Sequence, residues 1–328
     1  MFYIHQTKCI SPQHTFDSIK LDEIQLSEDN ILSSIEPAYE LIPPAMFRRM
    51  GRAVRFASGT ALPLLHTTKL DGIVIGTAFG GLEDCIKFLN QITDYDEGRL
   101  TPTNFVQSTT NAIASQLAFF STNKGYNNTH VHRGLAFENA MLDVAMQLNE
   151  NPDNCYLLGG VEEISAYQYN IESLAGSYKK ELVSSADMYN SITNGSIAGE
   201  GCAMFVVNNK KEGATTKLKA LTTTHTQDKE EVTEYIKRFI AKNTTDASID
   251  LFITGENGDI RFSSYYETCR AILPNTPTER FKHLCGEYPT SSAFALWLAC
   301  HKIKTTEYKH ILIYNNYQGK QHSLMLLG

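Results

Sequence analysis

Asn194-Gly-Ser-Ile-Ala-Gly-Glu-Gly-Cys-Ala203 places three glycines within seven residues and runs straight into the apolar, β-forming stretch Ala203–Asn208. A second turn of this kind, Gly76-Thr-Ala-Phe-Gly-Gly81, closes the run Gly72–Thr77. Neither has the Gly-Lys-Ser/Thr ending of a phosphate-binding loop or the spacing of a dinucleotide fingerprint. Both are therefore read as sharp strand ends, where glycine permits a positive φ or a close backbone approach.

Outward from these turns, β-forming runs alternate with amphipathic stretches along the whole chain, which predicts an α/β fold with its sheets covered by helices. Strands are expected at Phe2–Cys9, Gly72–Thr77, Thr129–Arg133, Tyr156–Gly159, Ala203–Asn208, Lys217–Thr224, Leu251–Thr254, His310–Tyr314 and Ser323–Leu327. Apolar residues at helical spacing predict helices over Pro44–Leu65, Asn111–Phe120, Ala136–Leu148, Lys229–Lys242 and Ser292–Lys302. The polar stretch Asn208–Thr216 separates two segments of similar order, and the lobe boundary is placed there, giving lobes 1–210 and 211–328.

With 328 residues, 42% hydrophobic and 20% charged, the chain has the composition of a folded globular protein of two domains or one large bilobal unit. Its net charge of −7 provides no general positive field for nucleic acid or anionic lipid. The longest apolar runs are strand-sized, so no membrane span is expected, and the N-terminus lacks an export pattern, which predicts a cytoplasmic protein. The seven cysteines are scattered, without metal-ligand spacing, and are expected to be reduced and mostly buried. No cofactor or metal is expected.

The order of five motifs carries more information than any one of them. The arginine-bearing Pro44–Ala57, the strand and turn Gly72–Gly81, the loop Leu100–Asn111 with Pro102, Phe105 and Asn111, Gly159-Gly-Val-Glu-Glu163, and Asn194–Ala203 follow one another as in β-ketoacyl-(acyl carrier protein) synthases of the thiolase superfamily, which the chain resembles over nearly its whole length. The resemblance implies a five-layer α-β-α-β-α fold of two similar lobes with mixed sheets. It also implies a dimer formed through the strand near Asn128–His132, with Phe105, Asn111, Thr129, His130, Val131, Arg133 and Phe137 at the pocket or interface. Lys282, Glu200 and Glu162 match positions that support this architecture.

The chemistry is missing from that frame. The family's nucleophilic cysteine sits at a helix N-terminus, where the dipole lowers its pKa and backbone N–H groups stabilise an oxyanion; the matching residue is Gly134, which has nothing to acylate. The first family histidine falls at Glu256 or Asn257, and the second, in Lys-x-x-x-Gly-His, is replaced in Lys282-His-Leu-Cys-Gly-Glu287 by Glu287. A bare carboxylate where an enolate forms exchanges attraction for repulsion, about 4 kcal/mol each way at ~4 Å and an effective dielectric near ~20. The family's glycine-rich gating loop is reduced to Tyr317-Gln-Gly-Lys320.

The resemblance thus implies a non-catalytic partner subunit similar to the chain-length factors of polyketide and aryl-polyene systems. Such a subunit pairs with an active ketosynthase and handles acyl chains carried on a phosphopantetheine-bearing acyl carrier protein. Arg48, Arg49, Arg52 and Arg55 are read either as a salt-bridged helix face or as a basic patch for that carrier. Two alternatives stay open: a repurposed enzyme with Glu287 as general base and Lys282 or Arg133 binding substrate, and a homodimeric acyl-binding scaffold. A Cys285/His283 dyad and a metal pair at His130 and His132 are weaker readings.

Overall fold

A computed structural model describes residues 1–17, 19–244 and 249–328. The strands are β1 (Phe2–Ile10), β2 (Ile31–Leu32), β3 (Gly72–Gly76), β4 (Tyr126–His130), β5 (Cys155–Glu162), β6 (Ala198–Gly199), β7 (Gly201–Asn208), β8 (Thr216–His225), β9 (Leu251–Thr254), β10 (Thr278–Arg280), β11 (Ile311–Tyr317) and β12 (Gln321–Leu327). The α-helices are α1 (Pro44–Phe47), α2 (Arg52–Leu65), α3 (Leu82–Asp94), α4 (Pro102–Gln107), α5 (Ala112–Ser121), α6 (Ala136–Glu150), α7 (Ala166–Leu174), α8 (Lys229–Asn243), α9 (Ser263–Ile272), α10 (Lys282–Cys285) and α11 (Ser291–Thr305).

Ten strands hydrogen-bond in the order β10-β9-β11-β12-β8-β1-β7-β5-β3-β4. This sheet is one pattern used twice. β3 lies parallel to both β4 and β5, after which β5, β7 and β1 run antiparallel. β9 likewise lies parallel to both β10 and β11, after which β11, β12 and β8 run antiparallel. The halves join where Phe2–Ile4 pairs antiparallel with Thr216–Leu218.

Side chains alternate between the two faces of each strand, and the core divides accordingly. Val74, Leu158, Phe205, Ile253, Ile313 and Met325 face a central layer built from α6 and α11. Ile73, Ile75, Leu157 and Met204 face α2 and α5, whereas Phe252, Leu312, Tyr314 and Leu324 face α8 and α9. Buried on both faces, these strands carry continuous apolar runs such as Gly72–Gly76. α11, from Ser291 to Cys300, is buried all round because it sits between both half-sheets. The expected five layers are present.

Several strands run a few residues longer than expected, β5 to Glu162 and β11 to Tyr317 among them, and two expected elements are placed differently. Pro44–Leu65 is not one helix: α1 ends at Phe47, Gly51 caps α2 in an extended conformation, and Arg48 and Arg49 lie in the break. The strand expected at Thr129–Arg133 is Tyr126–His130 and ends before the helix-initiating turn at Arg133–Leu135. Among the described residues no helix is long and apolar enough to cross a membrane.

Candidate functional site

Four of the five motifs are tied together by buried carboxylates, and the fifth, Leu100–Asn111, is joined to them where Gln107 Oε1 accepts from the Gly51 N–H at 3.2 Å. Glu162, at the end of β5, accepts from Thr77 Oγ1 at 3.2 Å and from the Ala78 N–H, which fixes the Gly76–Gly81 turn. Glu163 accepts from the Ala53 N–H at 2.9 Å, within the first turn of α2. Glu200 accepts from the N–H groups of Ser34 (2.8 Å) and Ile164 (2.9 Å) and pairs with Arg52 at 2.7 Å. Burial lifts Glu162 to about 8 and Glu163 to about 7.

The Asn194–Ala203 turn also positions Glu287. Glu287 N donates to Ile197 O at 2.8 Å, and Gly199 N donates to Glu287 O at 3.1 Å. Gly286, at φ +74, packs against Gly199 so closely that a Cβ on either would strike backbone, so both positions require glycine. The Glu287 carboxylate then meets the fully buried Lys282, whose Nζ lies 2.6 Å from each oxygen, and Asn257 Nδ2 at 2.6 Å. Burial raises the pKa of Glu287, with Lys282 and Asn257 opposing that shift. The bare negative charge expected at this position is thus half of a compact ion pair at the cavity wall.

Gly134 sits in the turn leading into α6, after Arg133 at φ 47. A Cβ on Gly134 would collide with the side chain of Tyr317. The Gly134 N–H, which at a helix N-terminus would serve an oxyanion, donates instead to Gln321 Oε1 at 2.9 Å. Both intruding residues belong to the β11–β12 hairpin. Its turn uses left-handed Gln318 (φ 53) and Gly319 (φ 63), closed by Lys320 N donating to Tyr317 O at 3.1 Å. The hairpin therefore fills the space in front of Gly134 and occupies its N–H.

A cavity of about 450 Å³ remains beside this plug, lined by Arg133, Gln168, Glu172, Tyr178, Asn257, Glu287 and Tyr317 among others. Gly134 and Lys282 lie behind its wall. Tyr178, Gln168 and Glu172 have no counterpart in the sequence reading, since they come from the structurally unassigned stretch around α7. Tyr317 and Gln321 were invisible as a plug because contact with Gly134 spans most of the chain; the only local sign was the eroded glycine-rich loop.

Other expected site residues divide. Asn257 reaches the cavity, whereas Glu256 does not: it turns away to pair with Arg270 at 2.7 Å. Phe137 is neither pocket nor interface, because it is fully buried against Phe205 beneath Gly76 and Gly160. Asn111 Oδ1 accepts from Thr129 Oγ1 at 2.7 Å, joining α5 to the outermost strand β4. Phe105 and Val131 are exposed on that side. His130 Nε2 contacts Asp143 Oδ2 at 2.7 Å, and His132 Nδ1 meets Asn139, so the two histidines do not converge. No group of three or more potential metal ligands occurs among the described residues. Cys285 is buried with its pKa pushed up by desolvation, while His283 bonds Tyr189 and is pushed down to about 4 by burial; they form no dyad.

The four arginines do not form one face. Arg52 is spent on Glu36 and Glu200, Arg55 stacks over Phe47 at 5.1 Å, and Arg48 and Arg49 are exposed. Together with Lys87, Glu83 and Asp84 they line a separate groove of about 570 Å³.

The fold matches solved condensing-enzyme structures along its length. A structure described as the ishigamide ketosynthase/chain length factor superposes with a TM-score of 0.81 at 17% identity, covering 99% of this chain and 98% of that one. The ketosynthase ApeO in complex with its chain length factor ApeC, from Xenorhabdus doucetiae, gives 0.79 at 12% identity, covering 100% and 97%. A β-ketoacyl synthase from Burkholderia phymatum STM815 gives 0.78 at 13% identity, covering 99% and 98%. No curated protein sequence matches significantly. The family model for the N-terminal domain of β-ketoacyl synthase matches residues 25–249, more than half of the chain. By that match, the chain belongs to the β-ketoacyl synthase family.

Proposed function

We propose that this chain is a ketosynthase-like subunit without condensing activity of its own, which pairs with an active β-ketoacyl synthase and contributes to the acyl chamber. The observation that carries the reading is the occupied site at α6: no side chain at Gly134, Tyr317 in its place, and Gln321 on its N–H. The ion pair of Glu287 with Lys282 argues in the same direction, because a carboxylate held at 2.6 Å by an ammonium is a poor general base. Pairing would use the outer strand β4, whose free edge calls for a partner. Arg48 and Arg49, exposed beside the groove at α2, are the arginines free to meet an acidic carrier protein and its phosphate. Such a subunit would work in the cytoplasm, where carrier-bound intermediates are made.

The test is purification of the tagged chain from its native cell, followed by native mass spectrometry. An equimolar complex with a ketosynthase that retains a cysteine nucleophile supports the proposal. A homodimer with no such partner would overturn it and favour an acyl-binding scaffold.

A further inference from the structure

The cavity beside Gly134 has one wall built from a single helix face. Gln168 and Glu172 stand at i and i+4 on α7, so both project the same way, and both line the cavity while their residues are more than nine-tenths buried. Gln168 Oε1 is buried without a hydrogen-bond partner. Glu172 accepts from Ser177 Oγ at 2.6 Å and, at a long 3.5 Å, from Gln318 Nε2, both on Oε2; among the described residues it forms no ion pair.

Several other buried carboxylates are matched: Glu200 has Arg52, Asp259 has Arg261, Glu287 has Lys282, and Glu162 and Glu163 receive backbone N–H groups. Glu138 has one hydroxyl donor, Ser323, and no ion pair among the described residues, but it lies in the core away from the cavity, whereas Glu172 lines it. Buried charge is ordinarily matched by an opposite charge or several donors, and Glu172 has one hydroxyl and one long contact. The cations lining the same cavity do not supply the match: Arg261 is committed to Asp259 at 2.5–3.1 Å, and Arg133 and Lys320 are exposed. The Tyr178 and Tyr317 rings line the same cavity and lie close enough to Glu172 for its charge to raise their pKa further, beyond the effect of burial, while the exposed Arg133 acts on Tyr317 in the opposite sense.

We propose that Gln168 and Glu172 form a recognition site for a protonated amine carried on an acyl group, with Glu172 as counter-ion and the Gln168 carbonyl accepting a second N–H. The ammonium would complete both acceptors at once, and the aromatic edges of Tyr178 and Tyr317 would flank the acyl stem. The inference rests on reading the cavity as part of an acyl chamber, and it does not depend on which protein pairs with the chain.

Titration calorimetry on the purified full chain tests it, with N-acetylcysteamine thioesters of 3-aminopropanoic acid and of butanoic acid as probes of nearly equal size. The expected result at neutral pH is at least tenfold tighter binding of the amino thioester, a preference erased in Glu172→Gln and reduced in Gln168→Leu. Glu172→Gln keeps an acceptor for Ser177, and the wild-type comparison stands even if a variant misfolds. Equal affinity for the two probes, or a preference that survives Glu172→Gln, would overturn the amine site while leaving the chamber intact. Binding of neither probe would overturn both the amine site and the acyl-chamber reading.

Discussion

At the scale of single residues, volume and charge around α6 are set in matched pairs. Gly134 and Tyr317 are a matched pair, small against large, and a cysteine at 134 would overpack the plug. Gly134→Cys is expected to cost about 2 kcal/mol in urea unfolding and to take no acyl group from an acyl thioester, as read by intact mass. Removing the plug as well, in Gly134→Cys/Tyr317→Ala, should give thiol access to iodoacetamide without condensation, since Asn257 and Glu287 still stand where the resemblance implies histidines. Lys282 and Glu287 are a second matched pair. Glu287→Gln leaves a fully buried ammonium without its carboxylate and should destabilise the fold by about 3 kcal/mol or more, measured by denaturant unfolding, whereas Lys282→Met/Glu287→Leu should recover most of that loss. Glu162 gives a pH signature. Its folded pKa of about 8 lies above the usual 4.5, so the native state holds its proton more tightly than the unfolded chain. Its stabilising contribution is complete below pH ~4.5 and is lost as pH rises to ~8, at about 1.4 kcal/mol per unit. Glu162→Gln should therefore gain about 2 kcal/mol on wild type between pH ~6 and ~8, and a constant difference across that range would refute the assignment.

At the scale of elements, the outer strand β4 and the hairpin β11–β12 decide behaviour. β4 presents an unpaired edge flanked by exposed Val131 and Phe105. Val131→Arg combined with Phe105→Arg should convert a dimeric assembly to monomers on size-exclusion chromatography while leaving the unfolding midpoint of the monomer nearly unchanged, because neither side chain is in the core. Most elements were legible in the sequence for a local reason. Val74 and its neighbours in β3 are buried on both faces and read as a continuous apolar run, α2 and α6 carry helical periodicity, and α11, buried all round, reads as a long apolar stretch. The miss at Arg48–Arg52 also has a local cause: Gly51 breaks a pattern whose apolar spacing continues through it, so α1 and α2 read as one helix. α7 escaped the sequence reading, its apolar residues Tyr167, Ile171 and Leu174 pointing outward and its polar Gln168 and Glu172 inward, the reverse of an ordinary surface helix.

At the scale of the whole molecule, two half-sheets of one topology share the α6/α11 layer, and the site forms where the second half's hairpin reaches across to the N-terminus of α6. The resemblance carried the fold because four of its five motifs are tied by Glu162, Glu163 and Glu200, residues close in sequence to the glycines that announce them. The site was legible only as losses: Gly134 and Glu287 could be read as missing chemistry, but Tyr317, Gln321 and the α7 pair act through contacts between distant parts of the chain. The most direct test of the central claim is native mass spectrometry of the chain assembled with the ketosynthase of its own cell and offered an acyl-carrier thioester. The account predicts a one-to-one assembly with the acyl mass on the partner chain alone. An acyl adduct on this chain, or condensation by this chain without a partner, would contradict it.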